Sequence, residues 1–312
     1  MKKSKAMKRL LSIVCSFLVC SLHAQKGDEL LVYSIKGNVT LIENNKESRL
    51  KIGKVLKPGS SVKTQRLAKL TMVCKQGKPL TVTKEGTFPV TKWKDSCTTA
   101  NSSVTSKYFQ YIWDQLYIRS DDYKLSHPET VGAVVRNEAP VRGEEQLEIE
   151  FNEAYDTLYY AAGIFSLSWS ANMDYAGKYN FVLYDILSGK YLYEDSLVGN
   201  SIHLDKIKKY MRPGNMYGWS VAARKTGICN GGVIKCTTLR KVRQQVSKFQ
   251  KAINIPEDQA AQYFRIAYSL ENSHYLADAF AYYQKAAKAA PDVEFYSEKL
   301  NEFRTAFRLG FF

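Results

Sequence analysis

Apolar residues change their spacing along this chain, and those changes limit what each part can fold into. From Leu30 to Val90 they alternate: Leu31, Tyr33 and Ile35; Val39 and Leu41; Leu50 and Ile52; Leu70, Met72 and Cys74; Leu80 and Val82. A period of two belongs to strands with one buried face. Turn-forming clusters punctuate the run at Lys36-Gly37-Asn38, Glu43-Asn44-Asn45-Lys46, Lys57-Pro58-Gly59-Ser60 and Gln76-Gly77-Lys78-Pro79. Between 102 and 118 the period lengthens, and Tyr108, Ile112 and Leu116 share a helical stripe with Phe109 and Trp113 beside it. The segment 119–143 is largely polar and reads as a linker. Strand patterns return at Gln146, with Leu147, Ile149 and Phe151, then Ile164–Trp169, Tyr179–Tyr184, Lys190–Tyr193, Ile202–Leu204, Tyr217–Val221 and a last strand from Gly232 to Leu239. Asn230-Gly231-Gly232 reads as a turn. From Arg240 to the end the spacing is helical: Val242, Val246, Phe249 and Ile253 make one stripe, and Ile255-Pro256-Glu257-Asp258 reads as the start of the next helix. The fold class expected is therefore multidomain and mainly β with an α-helical C-terminus. The expected bounds are 28–97 for a small β-module, 98–143 for a linker with a helix at 102–118, 144–239 for a β-sandwich and 240–312 for the helices.

The first 24 residues read as a signal peptide. Lys2, Lys3, Lys5, Lys8 and Arg9 precede the apolar run Leu10–Leu22, and Ala24 offers a small residue at the junction. That run is shorter than the roughly 20 residues of a spanning helix. The expected localisation is export to the periplasm or cell envelope, with no transmembrane segment after cleavage. Removing those residues lowers the formal charge from +15 to +10. The surplus is concentrated: between Lys46 and Lys94 stand 13 Lys or Arg against only Glu47 and Glu85. The cysteines after residue 24 are Cys74, Cys97, Cys229 and Cys236. Export permits disulfides. Sequence proximity suggests Cys74–Cys97 and Cys229–Cys236, one of three pairings, with buried thiols as the alternative. No His or second Cys pair is spaced to complete a zinc site, so no metal or other cofactor is expected.

Several stretches resemble known families. Gly37-x-Val39, Gly53, Leu56-Lys57-Pro58-Gly59, Val62-x-Thr64, the strand Leu70–Cys74, the turn at Gly77 and the closing strand Leu80–Thr83 together resemble the FecR-like domain family. Its best-known members regulate a sigma factor across a membrane and carry a spanning helix before the domain. That role is not carried over, and the resemblance implies here a β-rich extracytoplasmic module. The Trp169 strand followed by Tyr217-x-Trp219 looks like an immunoglobulin-like or fibronectin type III-like sandwich, in which Cys229 and Cys236 would sit on or near the last hairpin. Tyr263-x2-Ile266-Ala267-x2-Leu270, then Ala279-x3-Tyr283, Ala286 and Pro291, resemble a tetratricopeptide repeat. The family's groove positions would fall on Ala261, Phe264, Tyr268 and Glu271, which implies a protein partner docked on Phe264, Tyr268 and Glu271. A lone repeat cannot bury its own face, so the helices on either side must supply neighbours.

Motifs for chemistry are missing from the sequence. There is no Gly-x-Ser-x-Gly, no phosphate-binding Gly-Lys-Ser/Thr loop and no His-Glu-x-x-His pair. Asp121-Asp122 and Glu144-Glu145 lie in or beside the polar linker and read as solvated charge. No catalytic residues are assigned, and the expected function is a non-enzymatic scaffold or adaptor of a bacterial envelope, holding a protein through its helices. The alternative is an anionic envelope polymer bound by Lys51, Lys54, Lys57, Lys63, Arg66 and Lys69, whose local field would attract it at low salt. Nucleic acid is not the expected partner: export separates the chain from it, and aromatic residues between the cations are few (Phe88 and Trp93). Intact-mass analysis of the chain recovered from an exporting host is expected to show a polypeptide beginning at Gln25. A mass that retains residues 1–24 would mean an uncleaved anchor instead.

Overall fold

The computed structural model describes residues 29–97, 104–120, 149–171, 177–223 and 229–309. The segment 1–24 expected to be a signal peptide, Asp121-Asp122, Glu144-Glu145 and most of the expected linker lie outside these residues. The chain falls into two compact units that meet in sequence between Tyr123 and Lys124. The architecture is multi-sheet and mostly antiparallel β, followed by several helices. Among the described residues no helix is long and apolar enough to cross a membrane.

The first unit holds two four-stranded sheets. One runs β4 (Val55–Leu56), β1 (Leu30–Lys36), β6 (Lys69–Cys74), β7 (Pro79–Val82); the other runs β3 (Lys46–Arg49), β2 (Val39–Glu43), β5 (Ser61–Thr64), β8 (Gly86–Pro89). In β2 and β5, Val39, Leu41, Val62 and Thr64 are buried and their neighbours half-exposed, as alternation demands. Nearly every residue of β1 and β6 is buried, which requires cover on both sheet faces. Helix α1 (Val104–Ile118) supplies part of that cover. Phe109 and Tyr108 meet Tyr33 edge-on at 5.3 and 6.3 Å, and the Tyr33 and Tyr108 hydroxyls are 3.0 Å apart. The α1 residues Tyr108, Phe109, Ile112, Trp113 and Leu116 are buried. The helix expected at 102–118 within the 98–143 segment packs on the first unit, where five of its large side chains are buried.

A 3-10 segment, Val90–Cys97, returns the chain to the end of β6, where Cys74 and Cys97 form a disulfide. Closing a loop of 23 residues stabilises by about 3 kcal/mol in the chain-entropy account. Next to it the β6–β7 turn passes beneath α1. Gly77 has φ +79°, and a Cβ there would lie 2.2 Å from the Ser106 carbonyl oxygen, so only glycine fits.

The second unit is built on a five-stranded sheet ordered β10 (Thr157–Tyr160), β17 (Cys229–Cys236), β16 (Met216–Ala223), β13 (Tyr179–Asp185), β14 (Tyr191–Leu197). β10 joins parallel to β17, and the remaining neighbours are antiparallel. Two ribbons accompany it, β9 (Ile149–Glu150) with β12 (Ser170–Ala171) and β11 (Ser166–Ser168) with β15 (Ser201–His203), followed by the short helix α2 (Leu204–Lys208). Phe181 stacks between Trp169 and Trp219 at 6.5 and 6.3 Å. Asn230-Gly231-Gly232 is strand and not turn. A Cβ on Gly231 would stand 2.0 Å from the Trp219 carbonyl oxygen, and one on Gly232 would stand 2.2 Å from that of Tyr155. The glycines are there for close approach. A Cys229–Cys236 disulfide is also ruled out: the two residues end the same strand, seven steps or about 23 Å apart, and the Cys236 thiol is free and buried.

Helices α3 (Leu239–Lys251), α4 (Gln259–Glu271), α5 (Leu276–Ala289) and α6 (Glu294–Ala306) complete the unit. Thr238 caps α3 by accepting from the Lys241 amide, and Asp258 caps α4 by accepting from the Ala261 amide. Pro256 therefore lies ahead of the cap and not in the first turn. Small buried residues, Ala267 on α4 with Ala279 and Ala286 on α5, let the two helices approach closely. The expected boundary at 239/240 does not separate compact units. Asn152 Nδ2 donates to the Ala306 carbonyl at 3.1 Å, Tyr155 OH donates to that of Phe307 at 3.2 Å, and the Tyr159 amide donates to that of His274 at 2.8 Å.

Ahead of α4, Glu257 accepts from Arg265 Nε and Nη2 at 2.8–3.0 Å. Both side chains are almost fully buried, at 3% and 4% exposure, and Arg265 Nη1 reaches back to the Phe249 carbonyl at the end of α3. Glu257→Ala removes the carboxylate that balances a buried guanidinium. It is expected to lower stability by about 3–5 kcal/mol in urea unfolding, while a paired apolar replacement of both residues is expected to cost far less.

Candidate functional site

The face of α5 that carries Asp278, Tyr282 and Lys285, with Tyr275 at its N-cap, follows a helical spacing of three, four and three, which sets the four residues on one side. Neighbouring elements extend the row. Tyr159 of β10 stacks on Tyr275 at 4.7 Å with an interplanar angle of 10°, and Lys235 of β17 stands 5.4 Å over the Tyr159 ring. From α4, Tyr263 meets Tyr282 edge-on at 5.9 Å. Lys285 lies 4.3 Å over Tyr282. The four tyrosines are half-buried, and Lys285 is exposed.

Asp278 sits in the middle of this strip. Its Oδ2 is buried without a hydrogen-bond partner. Burial pushes its carboxyl up from 3.8 to about 6, and the Lys285 charge opposes the shift without cancelling it. Behind it, Tyr160 OH donates to Asp205 Oδ1 at 2.7 Å and to the Gly163 carbonyl at 3.0 Å. Burial, then that carboxylate, push the Tyr160 phenol up. Burial does the same to the Cys236 thiol. Half-buried rings flanked by ammonium groups around a carboxylate with an open acceptor suit a polypeptide surface with aromatic or cationic side chains.

The residues expected to line a groove are distributed differently. Phe264 is core: it packs against Phe295, Tyr283 and Tyr296 at 4.9, 5.4 and 5.6 Å and is fully buried. The start of α6 covers that face of α4, so a lone helical pair spends its would-be groove on its own neighbour. Ala261 is buried with it. Tyr268 is half-buried. Glu271 accepts from Tyr283 OH at 2.6 Å, and burial pushes its carboxyl up.

The six cations of the first unit do not share one face. Lys63 projects from β5 and pairs with Glu47 at 2.9 Å; Lys54 stands 3.9 Å from Glu43. Lys57 follows β4, whose Leu56 pairs with Leu30 at the start of β1. Arg66 and Lys69 belong to the other end of β1, in and after a turn held by the Gln65 amide on the Asn38 carbonyl at 3.2 Å. Lys51, Lys57, Arg66 and Lys69 are exposed.

A Ser–His contact in the second unit matches no sequence motif. Ser166 Oγ and His203 Nδ1 are 2.9 Å apart and are directly opposed in the β11–β15 ribbon. The buried serine adjoins the network in which Ser168 and Tyr155 donate to the Phe307 carbonyl. Among the described residues no group of three or more His, Cys, Asp and Glu is placed to hold a metal ion. A scan against protein-family models finds no match for the chain, and no curated protein matches it either.

Asp278→Asn tests the strip's electrostatics. A carboxyl with a raised folded-state value holds its proton more tightly in the fold, so native stability falls as pH rises from about 4 to about 6. The asparagine variant is expected to lose that slope and to gain about 1–2 kcal/mol at pH 7.5 after allowance for screening. Urea midpoints across the pH series measure both.

Proposed function

We propose that this chain is an exported adaptor of a bacterial envelope, without catalytic chemistry of its own, that holds a protein partner on the tyrosine strip of α5. In this reading the first unit is a FecR-like module, the strands of the second form an immunoglobulin-like sandwich, and α4 and α5 are a tetratricopeptide-like pair. The close α4–α5 contact through Ala267, Ala279 and Ala286 supports the last of these. The observation that carries the function is the Asp278 carboxylate oxygen, buried and unpartnered within the fold between half-buried Tyr275 and Tyr282. A buried acceptor left open costs about 1–3 kcal/mol, and a donor from a partner would remove that cost. The strip replaces Phe264 as the docking centre, with Tyr268 and Glu271 at most beside it.

A second reading keeps an anionic envelope polymer as ligand. It rests on Arg66 and Lys69, both exposed on either side of Leu67, itself 84% exposed.

Capture from envelope extract separates the two. Truncation before α3 would tear the core shared with β10, so point variants of the full chain are the better tool. Tyr275→Ala with Tyr282→Ala is expected to weaken capture of one protein by about 30-fold, the scale of a paired interface hot spot, while Arg66→Glu with Lys69→Glu leaves it unchanged. The opposite pattern, with release by moderate salt, supports the polymer. Undiminished capture by the tyrosine variant would refute the adaptor reading.

A further inference from the structure

The strand registers bring Tyr160, Cys236, Met216, Asp185 and Tyr191 to one end of the five-stranded sheet. Exposed large apolar side chains gather on that rim. Ile186 and Leu187 form the tip of the β13–β14 hairpin, Tyr191 and Met216 flank it, and Ile164 and Leu239 leave the far strands β10 and β17. Leu187 is 84% exposed and Tyr191 71%. Nothing in the core requires a leucine at a hairpin tip, where polar turn residues are the rule. Cations share the rim: Lys190 in the hairpin, Arg212 in the turn before β16, Lys235 on β17, and Arg240 and Lys241 in the first turn of α3. Two acids share this end of the sheet, fewer than the cations, and both already accept hydrogen bonds. Asp185 accepts from the Ser188 amide and hydroxyl, and Asp205 accepts from Tyr160.

We infer that this rim docks the protein on an anionic lipid surface, with Ile186, Leu187 and Tyr191 entering the headgroup region and Lys190, Arg212, Arg240 and Lys241 on the lipid phosphates. Shape favours a bilayer over a peptide. Five strands at about 4.8 Å spacing spread the apolar side chains in a row of roughly 19 Å across the end of the sheet, a span that suits an extended surface. Charge favours an anionic one, since cations near such a surface each add about fivefold to binding. A tyrosine at the boundary of apolar and charged groups suits the interfacial zone.

The test is cosedimentation of the full chain with vesicles of phosphatidylglycerol and phosphatidylcholine in equal parts, against phosphatidylcholine alone. Binding is expected to the mixed vesicles only and to weaken as salt rises. Ile186→Asp with Leu187→Asp is expected to reduce it at least tenfold, and Lys190→Glu with Arg212→Glu by about 25-fold or more. Both pairs are exposed, so thermal melting curves should match wild type. Tyr275→Ala with Tyr282→Ala should bind vesicles normally, which separates this rim from the partner strip. Equal binding to both vesicle types, unchanged binding by the hairpin variant, loss of binding only on Arg66→Glu with Lys69→Glu, or capture of an acidic protein by the rim without vesicle binding would each overturn the inference.

Discussion

Two parallel strands cannot be joined by a tight turn, because the chain must return to its starting end before it can pair. In the second unit that journey takes in almost the whole sheet: β10 is laid down early, and β17 reaches it only after β13, β14 and β16 have been added. The register from Thr157–Val233 to Tyr160–Cys236 is therefore a long-range contact of the kind that slows folding. Much hangs on it. It sets the Tyr155 carbonyl against Gly232, carries Tyr159 to its stack on Tyr275, and presents Tyr155 OH to the Phe307 carbonyl. The helices are thus anchored to a strand whose partner comes from the far end of the sheet's sequence.

This coupling explains what the sequence could and could not reveal. Alternation marked the strands well where one face is wet, as in β2 and β5. It described β1 and β6 less well, because cover on both faces removes the pattern. Helix α1 was visible from Tyr108, Ile112 and Leu116, but its membership of the first unit depends on Tyr33, which lies 75 residues away from Tyr108. Gly231 and Gly232 looked like a turn because glycine signals turns and close packing alike, and only the carbonyls of Trp219 and Tyr155 tell the two apart.

The same limit applies to the sites. Helical spacing alone would have shown Tyr275, Asp278, Tyr282 and Lys285 on one side of α5. That this side is half-exposed, while Phe264 is sealed by α6, follows from which helix packs on which. Charge was legible as a total and not as a pattern. The concentration of Lys and Arg in the first unit is real, but Lys63 and Lys54 have acidic neighbours in Glu47 and Glu43, and the rest are divided between opposite ends of β1. The buried Arg265–Glu257 pair carried no sequence signal, since eight residues across a helix start match no helical spacing.

Cys236 adds a further property. Its thiol is free and almost fully shielded at the end of β17, while the Cys74–Cys97 bond lies in the other unit. Exchange between thiol and disulfide needs a thiolate with access to sulfur, and here burial denies both. The closed β10–β17 edge therefore acts as a lock on the Cys236 thiol. While it holds, the Cys236 thiol is silent; each opening of that edge exposes it, so alkylation of Cys236 under native conditions would count those openings one by one.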